Sequence, residues 1–198
     1  GDLSIDDGPK DPRDVVTRMG RLSAGSLVDM CTSVARGACS NGLVLCCPPG
    51  HNAMVESTDT GSRSGVNQVG VAVRHIQRNL GLKKVLVLDW DAVHGLAIQK
   101  EFYEDPDVMC ISMHTQGSGV VDDVVGPGID CGGNGPGEGF NINIPLMSDV
   151  VGDAEILSSF RCAALPAAEG FRPDFVIVAA GFNLVSPEGT HVFVSVFG

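Results

Sequence analysis

An apolar run that ends in two acids constrains this fold more than any other feature: Lys84-Val85-Leu86-Val87-Leu88-Asp89, followed by Trp90-Asp91-Ala92-Val93-His94-Gly95. The first half reads as a buried strand, Lys84–Asp89. Asp89 and Asp91 are two apart, so on a strand they project from one face. Carboxylates at the end of an apolar strand are costly unless a metal, a cation or hydrogen bonds compensate them. Position 93 lies on the same face and is Val93, a hydrocarbon where a metal site would want another donor.

The rest of the chain supplies similar runs. Gly42–Cys47 (GLVLCC), Val108–Met113 and Asp174–Ala180 (DFVIVAA) read as buried strands, and Phe140–Ile144 alternates polar and apolar residues like another. Helical spacing covers Val15–Arg36, with apolar positions Val16, Met19, Leu22, Leu27, Met30 and Val34; Gly20 and Gly25 weaken it. Further helices are expected over Val66–Leu80, capped by Gly81, over Leu96–Tyr103, and over Asp153–Ala168 with a break near Pro166. Gln116–Gly139 is a Gly-rich loop too long for an idle connector. It is no phosphate loop, because no Lys-Ser/Thr follows its glycines. Strands alternating with helices predict an α/β class with an open, mainly parallel sheet flanked by helices. In such sheets ligands bind beyond the carboxyl ends of strands. Three predicted strands lead into polar residues, at Pro48–His51, Asp89–His94 and Gly181–Asn183, and that convergence points to a site.

Composition narrows the function classes. With 198 residues, 43% apolar and 19% charged, the chain is globular and long enough for one cored domain. A formal net charge of −11 argues against direct nucleic-acid binding; it is compatible with basic partners such as Lys-rich tails and equally with a charge that serves only solubility. No apolar run is long enough to span a bilayer. The start at Gly1, with no charged-then-apolar leader, reads as that of a fragment or processed chain. Seven scattered cysteines without C-x-x-C spacing read as reduced thiols, and Met109, Cys110 and Cys162 as core. His75 reads as a surface or partly buried residue.

Several motifs occur in order and at matching separations: Pro48-Pro49-Gly50-His51-Asn52-Ala53, Asp89–Gly95, Gln99, Phe102-Tyr103, Asp105-Pro106, Ile111-Ser112-Met113-His114 and Ala180-Gly181-Phe182-Asn183. Together they resemble the zinc-dependent histone deacetylases. Ser4-Ile5-Asp6, Asn41-Gly42, Glu56-Ser57-Thr58, Gly137–Asn141 and Gly152–Glu155 bring the likeness nearest to the class IIa enzymes. The likeness covers nearly the whole chain and fades after Asn183. It implies the arginase/deacetylase fold, here incomplete at the C-terminus, as a single partial domain over residues 1–198.

The family's mechanism maps onto this chain position by position. The resemblance implies zinc held by Asp, His and Asp, which fall on Asp91, Val93 and Asn183. The first is kept, the second is lost and the third becomes a neutral, weak donor. The paired active-site histidines fall on His51 and Asn52. The resemblance puts the general base at Asn52, whose amide cannot take up a proton at useful pH. Ser62 and Arg63 replace the aromatic wall of the acetyl-lysine tunnel. The resemblance further implies a buried potassium ion near Asp89, Asp91, Ser112 and Met113, with Asp89 orienting His51. It implies acetyl-lysine tails or corepressors as partners, and a nuclear or nucleocytoplasmic role in transcriptional repression. His114 matches a family residue without a firm role.

Three readings follow. The first is a degenerate deacetylase domain, catalytically impaired or inactive. The second is an active zinc deacetylase with unusual ligands, His94 joining Asp91 and Asn183 through a strand-end bulge. The third is a non-catalytic interaction fragment.

Overall fold

The computed structural model describes residues 12–47, 50, 51, 53, 65–115, 130–146 and 151–181. Four strands, β1 (Val85–Asp89), β2 (Val108–Thr115), β3 (Asn141–Leu146) and β4 (Phe175–Ala179), form one parallel sheet in the order β3-β2-β1-β4. Every residue of β1 is buried, because both of its faces are covered. Val85 and Val87 of β1, Val108 and Cys110 of β2 and Ile177 of β4 meet the first helical layer. That layer holds α1 (Pro12–Ala35), α2 (Gln68–His75, continued by a wide π-type turn, Ile76–Leu80) and α3 (Leu96–Phe102). On the opposite face Leu86, Leu88, Met109, Ile111 and Met113 pack with Ala164 and Phe171. These last two belong to one run of α4 (Asp153–Ser159), a second π-type turn (Phe160–Ala164) and α5 (Leu165–Phe171).

The handedness of parallel crossovers explains this division. The β1-to-β2 connection moves one way across the sheet and carries α3 on one face. The β3-to-β4 connection returns past β1 to the far edge, so a right-handed crossover places α4 and α5 on the other face. The direction of winding therefore switches between β1 and β4, which puts the expected ligand crevice beyond their carboxyl ends.

Local sequence accounts for the helix ends. Asn67 caps α2, its Oδ1 accepting from Gly70 N–H at 2.8 Å. The following turn stops at Gly81, left-handed at φ 71°, as its C-cap position predicts. Pro166 does not break the third long helix. The wide turn just before it accommodates the missing N–H and the ring.

Three further expectations need correction. Gly42–Cys47 is not a strand. Leu43 and Leu45 are 71% and 84% exposed, and the segment runs beside α1, where Cys47 exchanges hydrogen bonds with the Ser23 hydroxyl. A short apolar run carries no period by which to distinguish strand from loop. Within α1, Met19 and Leu22 are exposed, whereas Leu27 and Val28 pack on the core. Cys162 is exposed on its helical turn, while Met109 and Cys110 are buried as expected.

Candidate functional site

The site is assembled at the carboxyl end of β1. Asp89 ends the strand and is 3% exposed; Asp91, two residues on, is 5% exposed. Backbone bonds set the turn that follows. Trp90 N–H donates to Ala179 O at the end of β4 (3.2 Å), and Thr115 N–H at the end of β2 donates to Ala92 O (3.1 Å). Asp89 Oδ1 accepts from Asp91 N–H at 3.0 Å, and Asp91 Oδ1 accepts from Val93 N–H at 3.2 Å. Each acid thus fixes the backbone two residues ahead and keeps its Oδ2 for another partner.

That partner is His51. Its Nδ1 lies 3.1 Å from Asp89 Oδ2 and its Nε2 lies 3.2 Å from Asp91 Oδ2, so one imidazole spans both carboxylates. Burial opposes the charged ring. The Asp89 hydrogen bond and the charges of Asp89 and Asp91 outweigh that cost and hold the His51 pKa above its ordinary value. Two close passages place the ring. A Cβ on Gly50 would lie 1.5 Å from Gln68 Oε1 and 2.5 Å from Val66 O, and a Cβ on Gly95 would lie 2.2 Å from Asp89 Oδ2. The His51 carbonyl accepts from Ala97 N–H (3.1 Å), and the Ala97 carbonyl accepts from Asn67 Nδ2 (3.1 Å). The Asn67 that caps α2 therefore also steadies the segment bearing His51.

His94 turns away from the two acids. Its Nε2 donates to Gln99 Oε1 (3.1 Å) and Asn143 Oδ1 (3.0 Å) in the layer between β3 and α3. Burial lowers its pKa, and the hydrogen bonds only partly offset this. Its ring meets His114 edge-on at 4.9 Å. Burial and the neighbouring His94 push His114 down to about 4, and its Nδ1 pairs with Ser112 Oγ at 3.0 Å.

The sequence-derived positions divide as follows. Asp89, Asp91 and His51 come together. Ser112 is the register partner of Asp89 on β2. The Met113 side chain is buried on the opposite face, which leaves only its backbone on the Asp89 side. Val93 follows Asp91 on the turn and is half-buried. Asn52, Asn183, Ser62 and Arg63 lie outside the described residues. Asn141 and Asn143 escaped sequence reasoning, since alternation on β3 reads as a solvent-facing polar row. The missed signal was two amides at alternate positions on a strand of a two-faced sheet. A cleft of about 710 Å³ lies beside Arg74, Lys100, Glu101, Tyr103 and Asp105. It meets the network around His94 through Gln99 and Cys131, at the edge of that network, so its size does not mark the chemistry.

A family profile described as the histone deacetylase domain matches residues 12–192. The chain belongs to the histone deacetylase family. It is 37% identical over 196 residues to human histone deacetylase 7, covering 90% of this chain and 19% of that protein. It is 36% identical over 173 residues to human histone deacetylase 9, covering 82% and 16%. Histone deacetylase 5 of Arabidopsis thaliana is 37% identical over 166 residues, covering 82% and 25%. The crystal structure of the HDA15 HD domain superposes with a TM-score of 0.78 at 35% identity, covering 88% of this chain and 49% of that one. The chain thus spans about half of that solved domain and at most a quarter of these curated relatives. The parallel sheet with flanking helices is the arginase/deacetylase fold that the motifs implied.

Zinc is the metal of this family in general, and the described residues do not fit it. Asp91 Oδ2 already holds His51 Nε2. Val93 offers no lone pair, and His94 is turned to Gln99 and Asn143. Among the described residues no three His, Cys, Asp or Glu side chains gather as a metal group. A catalytic zinc site ordinarily needs three protein ligands.

Proposed function

We propose that this histone deacetylase-family domain has impaired metal-dependent hydrolysis and persists as a binding module for basic, Lys-rich protein segments. The observation that carries this reading is the His51 clasp on Asp89 and Asp91 beside the hydrocarbon of Val93. In the clasp, an imidazole whose pKa the two acids raise meets the carboxylates that a metal would otherwise neutralise. Replacement of the base-position histidine by Asn52 supports the same conclusion, since loss of a general base typically costs about 10²–10⁴-fold. The net charge of −11 suits a basic ligand. Chromatin-linked partners, a nuclear or nucleocytoplasmic location and a part in repression belong to this proposal through the family. Turnover of an acetyl-lysine peptide, measured with zinc added and with a hydroxamate inhibitor, tests it. The expected result is no hydroxamate-sensitive release of acetate, with retained binding of the Lys-rich peptide. Hydroxamate-sensitive turnover by the unaltered chain would overturn it.

A further inference from the structure

Behind the clasp lies a second polar group that the deacetylase chemistry does not use. His94 Nε2 faces two amide oxygens, Gln99 Oε1 and Asn143 Oδ1. Asn143 Nδ2 donates to the same Gln99 oxygen (3.1 Å) and to Cys131 O (3.3 Å), so the orientation of its amide is set. Nε2 therefore bears the hydrogen, and in the neutral ring Nδ1 is a bare acceptor. That Nδ1 is buried and has no partner among the described residues. The same is true of both polar atoms of Asn141, a residue only 4% exposed. Asn141 and Asn143 occupy one face of β3, opposite Cys110 and Ser112 of β2. A cavity of about 10 Å³ opens there, lined among others by Asp89, His94, Gln99, Ser112, Asn141 and Asn143.

We propose that this cavity is a built site for one internal water molecule, which joins Asn141 of β3 to His94 in the turn behind Asp91. The volume matches about one water-sized sphere, and internal waters make roughly two to four hydrogen bonds to otherwise unsatisfied groups. The three orphaned atoms fit a water's valence. It donates to His94 Nδ1 and Asn141 Oδ1 and accepts from Asn141 Nδ2. A cation does not fit, because the Asn141 amide N–H would face its positive charge. The water makes Asn141 a positioning residue. Through His94 it sets the turn that carries Asp91 and Gly95, although β3 itself sends no charged group to the site. The inference rests on the packing of β3 against α3 and holds whether or not the domain hydrolyses acetyl-lysine.

The test is a crystal structure of the full chain from rubidium-containing solution, with ¹⁵N nuclear magnetic resonance of the His94 ring. The expected result is one density peak about 2.7–3.2 Å from His94 Nδ1, Asn141 Oδ1 and Asn141 Nδ2, without anomalous rubidium signal. The ring is expected to carry its hydrogen on Nε2, with Nδ1 accepting a hydrogen bond. A rubidium peak, a cavity without density, or a hydrogen on Nδ1 would each overturn the proposal. Asn141→Leu fills the cavity and should abolish the peak and shift the Nδ1 resonance. An unshifted resonance in the folded variant counts against it, and if that variant does not fold the unaltered chain decides.

Discussion

A methyl group added at Gly95 would lie 2.2 Å from Asp89 Oδ2, closer than real Cβ contacts come. To reach even 3.0 Å, the oxygen must retreat by the difference, 0.8 Å. That oxygen holds His51 Nδ1 at 3.1 Å, so its retreat stretches the bond that anchors the clasp. Losing a hydrogen bond to a charged group costs about 1.5–3 kcal/mol. Overpacking a well-filled site costs about 1–3 kcal/mol. The two figures describe one event and are not summed, so Gly95→Ala should destabilise the fold by about 2 kcal/mol. Guanidinium unfolding at neutral pH measures this, and an unchanged slope would show that the unfolded state is not the cause. The His51 titration followed by nuclear magnetic resonance should move down toward its ordinary value, because the Asp89 contribution weakens. Gly170→Ala is the control: it sits in α5 with nothing within 4 Å of the added carbon. It should stabilise by about 0.5–1 kcal/mol through helix propensity. If Gly95→Ala unfolded at the same midpoint as the parent and left the His51 titration unmoved, the reasoning about the clasp would be refuted.

Other outcomes can be checked on the same material. His114 has a folded pKa of about 4 against an ordinary 6.5, so protonation favours the unfolded chain. Its contribution to stability is fully present above the ordinary value and is lost as pH falls from there toward the folded one; His114→Asn should flatten that part of a urea-midpoint profile. Arg74 ties α2 to α3, pairing with Glu101 at 3.1 Å and with Asp105, and its guanidinium lies 4.8 Å from the centre of the Phe102 ring. Arg74→Met should cost about 1–2 kcal/mol in thermal unfolding, with a smaller loss at high salt. Asp89→Ala removes the partners of His51 Nδ1 and Asp91 N–H together, and should cost about 3–5 kcal/mol in denaturant titration. An Asp89→Ala variant as stable as the parent would show that the clasp contributes nothing.

Much of the fold was legible because buried strands write themselves as unbroken apolar runs. Val85–Leu88, Val108–Met113 and Phe175–Ala179 all fall in the sheet. Gly42–Cys47 looks the same on paper but runs beside α1, because composition carries no information about which neighbour accepts a ladder. Strand order was not legible either. It follows from crossovers whose length and hand become visible only in three dimensions. In the site, the spacing of Asp89 and Asp91 announced paired carboxylates, and the family likeness linked Asp89 to His51. The second contact, Nε2 on Asp91, was hidden, since it depends on where the segment after Cys47 returns to the sheet. Asn141 and Asn143 were hidden for a related reason: a polar residue on a strand reads as exposed until the layer covering it is known. The wide turn before Pro166 shows how a helix absorbs a residue that propensity alone treats as a stop.

In the proposed function His51, rather than a divalent metal, offsets the carboxylates at the end of β1. Elemental analysis of the full chain, purified with zinc present and without chelator, tests this most directly. The expected content is zinc far below one ion per chain, rising when Val93→His, Asn52→His and Asn183→Asp are introduced together. One tightly held zinc per unaltered chain would contradict it.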